Sequence, residues 1–471
     1  MTAIESEPSA SPRAPGADAR AEPRFVDALS RLVLDAFFRS VEVEGVERVP
    51  RRGPVVFVAN HANGLVDPAL LMAFLPRRPR FLAKSTLWKI APLRPILGWA
   101  AAIPVYRQQD RGVDRSKNAD SLRRCREVLR AGGAVALFPE GRAHDDPALG
   151  MLKTGVARIV LEAEREAAAS GERLGIAIVP VGLSFDDKTR FRSRALVEIG
   201  NPFDATPELA LAKADDRQAV RVLTERIREA LVGVTVNYPS WREARWIDRA
   251  ADIYARPDTG APSARRLRHV MPLRRGFAAG YETMRARRPN EVAAVVEAVR
   301  EYDRGLEFFG LTDAQVRSRY TPSAVGRFVA GALWRLVVLL PAGILGTVLH
   351  APTYWLIDGV SKIFGREPVV RATFKALPAI VLYPLTWLVA SFLAWWAVGK
   401  RAALATLTLA PIAGYAAVKL QQSLDVIRSQ TRAFVLATSG VRGIRELKRR
   451  RREVADQVEA LVTAWRELDD R

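Results

Sequence analysis

Apolar residues recur along this chain in two rhythms. Short unbroken runs come first: Val55–Ala59, Ile103-Pro104-Val105, Ala134–Leu137 and Ile178–Gly182. Each ends in Pro, Gly or charge, and stretches of helical spacing separate them. Such runs predict buried strands, and their alternation with helices predicts an α/β unit with a mixed central sheet flanked by helices. The second rhythm begins later. Ala376–Val398 is an uncharged run of 23 residues; as a helix it is about 35 Å long, enough for a bilayer core of about 30 Å. After Gly399-Lys400-Arg401, a second uncharged run extends from Ala402 to Val418. Together they predict a helical hairpin in a membrane. Leu336–Ile357 is also apolar but is broken by Pro341, Gly343, Gly346 and Pro352. It is expected to span, re-enter or lie at the interface.

Three other segments carry helical spacing. Phe25, Leu29, Leu32, Val33, Ala36 and Phe37 share one face, which fits either a core-packing helix or one lying at a membrane interface. Residues 240–325 are rich in Arg and Ala and contain Trp241 and Trp246, expected as packing residues. Ile444–Leu468 mixes apolar residues with Arg and Glu and suits an amphipathic helix near an anionic surface. The first 24 residues, mostly Ala, Pro, Ser, Glu and Arg, predict disorder and hold no apolar core of a signal peptide. The expected organisation is therefore a disordered 1–24, an α/β domain over 25–238, a helical extension over 239–325, membrane-inserting helices over 326–425, and a basic amphipathic helix over 426–471.

A formal charge of +21 points to an anionic partner or surface. Nucleic acid is disfavoured, since no recognition motif of the usual kinds is present and the hydrophobic hairpin has no role there. The single cysteine, Cys125, excludes an intramolecular disulfide, and with only four histidines a structural zinc site is not expected. The positive-inside rule keeps Arg335, Arg366, Arg371, Lys375 and Lys448–Arg452 cytoplasmic; only the Lys400-Arg401 turn objects. Three complete crossings would strand the basic tail outside, so that arrangement is disfavoured. High Ala and Arg content places the chain at a bacterial inner membrane, with the α/β domain on its cytoplasmic face.

Two strand ends carry chemistry. Asn60-His61-Ala62-Asn63-Gly64-Leu65-Val66-Asp67-Pro68 follows the first run. An imidazole with a carboxylate partner is what a general base needs to take a proton from an alcohol near neutral pH. The plainer reading makes Asp67 a helix N-cap with Pro68 at the first helical position; one carboxylate has lone pairs for both tasks. Six positions on a regular helix would leave the two side chains about 120° apart, so the pair is expected on a loop, with Gly64 absorbing the extra position. Phe138-Pro139-Glu140-Gly141-Arg142-Ala143-His144-Asp145 follows the third run, a usual place for substrate contacts at the carboxyl end of a sheet.

In this order and spacing these segments resemble the glycerolipid acyltransferase family, which contains glycerol-3-phosphate and 1-acylglycerol-3-phosphate O-acyltransferases. That family usually places four residues between its His and Asp; here Ala62 to Val66 make five. The longer form resembles the branch of fungal glycerol-3-phosphate and dihydroxyacetone-phosphate acyltransferases, as do Asn60, Pro68 and Leu152-Lys153-Thr154-Gly155. The resemblance runs from about residue 40 to 290.

The resemblance implies direct acyl transfer from acyl-CoA or acyl-carrier protein, a co-substrate rather than a cofactor, to a phosphorylated glycerol or lysophospholipid. His61 would be the base and Asp67 its orienting partner, with no metal. Arg107 and the Glu140-Gly141 turn would bind the acceptor phosphate, Gly141 by letting a backbone N–H approach. Arg142 is a further phosphate candidate, though it sits one residue before the position where the commoner pattern has its Arg. The alternative is a non-catalytic membrane protein that binds anionic phospholipid.

Overall fold

The computed structural model describes residues 30–31, 34–35, 37–90, 93–106, 117–188, 192–255, 266–318, 320–364, 368–438 and 442–469. The expected disorder of 1–24 lies outside these residues, as do Phe25, Leu29, Leu32, Val33 and Ala36; Phe37 is buried. The chain forms two compact units. The first comprises the described residues up to Thr235, apart from Asp145–Ala148 and Lys188, which cluster with the second.

The first unit is built on seven strands: β1 (Ser40–Glu44), β2 (Val55–Ala59), β3 (Arg80–Lys84), β4 (Ile103–Val105), β5 (Ala134–Leu137), β6 (Ala177–Phe185) and β7 (Arg194–Ile199). They form one sheet in the order β1-β7-β6-β2-β5-β3-β4, parallel at every pairing except β6 with β7. Every residue of β2 and β5 is buried. Strands covered on both faces need apolar residues at every position, which is why they read as unbroken runs. Helices α1 (Val66–Phe74), α2 (Leu93–Trp99), α3 (Lys117–Arg130), α4 (Gly155–Ala169), α5 (Thr206–Ala212) and α6 (Asp216–Val232) complete the unit. In α6, Val220, Leu223, Ile227 and Leu231 recur every three or four residues and join Val56, Val135 and Ile178 in the main core.

Strand order places the functional crevice. From β2 the chain passes through α1 to β3, on the far side of β5; from β5 it passes through α4 to β6, on the far side of β2. Connections thus depart in opposite directions from two adjacent parallel strands. In open α/β sheets, the carboxyl ends at such a reversal frame a ligand crevice. The loops leaving β2 and β5 are the two that carry the chemical motifs.

The second unit is helical: α7 (Trp241–Tyr254), α8 (Leu267–Arg287), α9 (Pro289–Phe309), α10 (Asp313–Arg317), α11 (Pro322–Phe364), α12 (Pro368–Ala397), α13 (Lys400–Thr438) and α14 (Arg442–Asp469). The regions expected separately at 239–325, 326–425 and 426–471 cluster together. Among the described residues, three helices are long and apolar enough to cross a membrane: Pro322–Ile363, Pro378–Ala397 and Lys400–Thr438. The segment expected to be broken at Pro341 and Pro352 is one continuous helix of 43 residues. Gly343 and Gly346 serve close packing instead, as does Gly414 of α13. A Cβ on Gly346 would collide with the Ala413 carbonyl, one on Gly343 would lie 2.7 Å from Leu420 Cδ2, and one on Gly414 2.9 Å from His350 Cε1. Small residues at such contacts let backbones approach. Nearby, His350 Nε2 accepts from Trp387 Nε1 at 2.8 Å.

As residue numbers rise along α11 they fall along α13, so the two helices run antiparallel. The chain also leaves and re-enters one core: Val295, Val299 and Leu306 of α9, Val316 of α10, Ala433 of α13, and Leu447 and Val454 of α14 share a cluster. Gln315 Nε2 donates to Ser429 O at 3.0 Å and Oγ at 2.8 Å. Both ends of the apolar region therefore return to one core.

The C-terminal helix corrects an expectation. Rather than lying free against an anionic surface, α14 packs on α9 and α7 through Leu447, Val454 and Val458. Arg451, within the basic run, is 2% exposed and donates to Asp313 Oδ1 at 2.7 Å. The Tyr302 hydroxyl donates to the same oxygen at 2.9 Å, and Arg317 Nε to Oδ2 at 3.2 Å. Burial pushes the Asp313 carboxyl up, but the Arg451 and Arg317 guanidiniums and the Tyr302 hydroxyl outweigh it and hold the group below the usual range. Its stabilisation is therefore present above the unfolded value of about 3.9 and lost as pH falls through the folded value. Arg451→Ala should destabilise the helical unit by about 3–5 kcal/mol, since it strands a buried carboxylate. Replacing Asp313 and Arg451 together by apolar residues of similar volume should cost less than Arg451→Ala alone. Denaturant melts of the three variants check the ranking.

Candidate active site

At the carboxyl end of β2, Asn60 extends the sheet with its side chain. Its Nδ2 donates to Leu183 O at 3.0 Å, and its Oδ1 accepts from Leu183 N at 2.7 Å. The next residue is thereby fixed to β6. His61 Nδ1 lies 2.9 Å from Asp67 Oδ2, and the Asp67 side chain is 0% exposed. The Asn63 N–H donates to the same oxygen at 2.7 Å. Phe138 stacks on the imidazole with ring centroids 4.1 Å apart. A carboxylate bonded to Nδ1 holds the proton there, leaving Nε2 as the basic atom; no described residue bonds Nε2, and the side chain is 13% exposed.

Gly64 has φ +45, so it supplies the backbone turn expected of it. The capping role of Asp67 is corrected. Helix α1 begins at Val66 with Leu65 at the cap position and no side-chain cap bond. Asp67 lies inside the first turn, and its carboxylate turns back to His61 and Asn63. The pair therefore joins a loop to a helix terminus rather than lying wholly in a loop.

Glu140 is also placed otherwise than expected. Its side chain is 2% exposed. Oε1 accepts the His61 N–H at 2.8 Å, and Oε2 accepts the Gly150 N–H at 2.8 Å and meets His144 Nε2. Both oxygens are committed inside the protein, so Glu140 holds the main chain of His61 and does not reach a phosphate. The Gly141 N–H likewise donates to Phe138 O at 3.0 Å and is not offered to a ligand. What Gly141 supplies is φ +75 and room: a Cβ there would lie 2.8 Å from Lys153 Cε and 3.0 Å from its Nζ. Lys153 is tied in by its N–H to Pro139 O at 2.8 Å, and its side chain is exposed. Arg142 is exposed on the same turn. Arg107 lies outside the described residues; just before it, Asn118 clasps the backbone of Tyr106 through both N–H and C=O at 2.9 and 2.7 Å.

Asn60, Phe138 and Lys153 were quoted in the motifs without a role. Only a spatial partner reveals what they do. The single thiol is no rival to an imidazole: Cys125 is fully buried and that burial pushes its pKa up to about 12. Among the described residues, no group of His, Cys, Asp and Glu could hold a metal ion.

Residues 40–184 match the family model described as Acyltransferase, and residues 254–466 that described as Glycerol-3-phosphate acyltransferase 2 C-terminal domain. The chain belongs to the glycerolipid acyltransferase family. It is 26% identical to an uncharacterized acyltransferase of Schizosaccharomyces pombe, across 76% of this chain and 66% of the relative. It is 27% identical to glycerol-3-phosphate O-acyltransferase 2 of Saccharomyces cerevisiae, across 60% of this chain and 39% of the relative. A chloroplastic 1-acyl-sn-glycerol-3-phosphate acyltransferase of Arabidopsis thaliana is 31% identical across 31% of this chain and 36% of its own length. The chain thus spans less than two thirds of the length of the relatives it matches.

Within this family site, Glu140→Ala should leave two backbone donors without their acceptor. The expected cost is about 2–5 kcal/mol, with Glu140→Gln milder because one acceptor oxygen remains. Hydrogen exchange at the His61 and Gly150 amides should accelerate in both variants, more in Ala.

Proposed function

We propose that this chain is an O-acyltransferase that moves a fatty acyl group from a thioester, acyl-CoA or acyl-carrier protein, to a hydroxyl of a phosphorylated glycerol acceptor. The observation that carries this reading is His61 bonded through Nδ1 to the buried Asp67, with Nε2 bonded by none of the described residues, at the carboxyl ends of β2 and β5. The acceptor hydroxyl gives its proton to Nε2 as its oxygen attacks the thioester carbonyl carbon. Collapse of the tetrahedral species breaks the C–S bond, and the imidazolium returns the proton to the departing sulfur. Asp67 stabilises the imidazolium in between. No cofactor is required by these steps.

Arg107, Arg142 and Lys153 are the cations proposed for the acceptor phosphate; Arg suits it through its planar fork of donors. The C-terminal family model and the yeast relative, both named for glycerol-3-phosphate acyltransferases, support glycerol 3-phosphate as acceptor, with 1-acylglycerol 3-phosphate second. His61→Ala should lower acyl transfer by about 10²–10⁴-fold, and Asp67→Asn should fall in the same direction by disturbing the tautomer. Thioester-dependent acylation of both acceptors is the measurement. His61→Ala retaining more than about a tenth of wild-type turnover removes the base role.

Association with a membrane follows from the three apolar helices. We place both ends of the inserted region on the cytoplasmic face, because Arg327, Arg428 and Arg432 lie at that end of α11 and α13. The bacterial inner membrane rests on composition alone. Screening shortens the Debye length to about 3 Å at 1 M salt, whereas burial of apolar helices is unaffected. The protein should resist high-salt and alkaline washing and need detergent for release; release by salt alone contradicts insertion.

A further inference from the structure

We propose that the helical unit holds a lipid site of its own: an apolar groove among α7, α8, α9 and α14 that takes one acyl chain of an anionic amphiphile. It goes beyond the acyl-transfer reading and does not depend on it. The groove has a cavity volume of about 180 Å³ and opens to solvent. Its walls include Trp246, Phe277, Val295, Leu461 and Trp465, and Arg466 is the single charged residue of its lining among the described residues.

The sequence of α8 makes the space. Pro272, Gly276, Gly280 and Met284 recur every four residues and all line the groove, and at Gly276 the helix sends no side chain into it. A Cβ on Gly276 would meet nothing within 4 Å, whereas one on Gly280 would lie 3.3 Å from the Trp465 ring. Walls with so few polar atoms give water no partners, so an apolar occupant supplies contacts that water cannot.

Polarity is confined to one end. Arg466 Nη2 donates to the Tyr254 hydroxyl at 3.2 Å, and no carboxylate pairs with it among the described residues. A guanidinium bonded, among the described residues, to a phenol and to no carboxylate, beside a groove with no acidic residue in its described lining, matches a carboxylate or phosphate head with its chain laid along α8.

The test uses the full chain in phosphatidylcholine nanodiscs and palmitate carrying a photoactivatable diazirine near its methyl end. Labelled peptides should map to residues 246–299 and 458–466. Gly276→Leu should abolish that labelling while the melting temperature holds. Arg466→Glu, an exposed change, should raise the palmitate concentration needed by about tenfold. Unlabelled palmitate and 1-palmitoylglycerol 3-phosphate should both compete, and the one acting at lower concentration identifies the source of the ligand. Labelling confined to 322–438, undiminished labelling in both variants, or equal competition by neutral monopalmitoylglycerol overturns the proposal.

Discussion

One buried carboxylate determines whether the His61–Asp67 geometry exists at all. Glu140 reaches from the end of β5 to the His61 N–H at the end of β2, and with its other oxygen to the Gly150 N–H. A charge this buried is tolerable only when hydrogen bonds satisfy it; the bond to His61, with the His144 N–H donating to His61 O at 3.1 Å, fixes the two motif loops to each other, and the bond to Gly150 closes the β5 loop on itself. Asp67 then acts on a mobile element of a fixed backbone: it sets the ring's rotation and tautomer. One acid holds the main chain and the other holds the imidazole. Phe138 closes the stack on the remaining face.

The helical unit solves a different problem. Its apolar helices need lipid, while the residues on either side need a common soluble core. Antiparallel α11 and α13 meet both demands, because the chain returns to the place it left. Gln315 to Ser429 and Arg451 to Asp313 lock that return. Small residues at 343, 346 and 414 make close approach possible where the bilayer offers no hydrophobic drive between helices.

Much of this was legible because the responsible forces are local. β2 and β5 coincide with their apolar runs, since a strand buried on both faces has no polar positions to confuse its limits. The His61–Asp67 pair was legible because its partners lie six residues apart. Glu140 was not, because its direction is set by an amide 79 residues away. Nor was the single helix through Pro341 and Pro352: proline interrupts an isolated helix, but packed neighbours can re-satisfy the freed backbone groups. Arg451 read as one cation in a solvated run until its buried partner was placed.

The distance between Asp313 and Arg451 in sequence has a bearing on how the molecule is made. They are 138 residues apart, and the whole apolar region lies between them. During synthesis, Tyr302 and Asp313 emerge long before the guanidinium that satisfies them, and α11 to α13 must find the lipid in the interval. The helical unit can close its core only after its own middle has been inserted, so biogenesis runs in a fixed order: α/β unit, membrane helices, then the final helix as a latch.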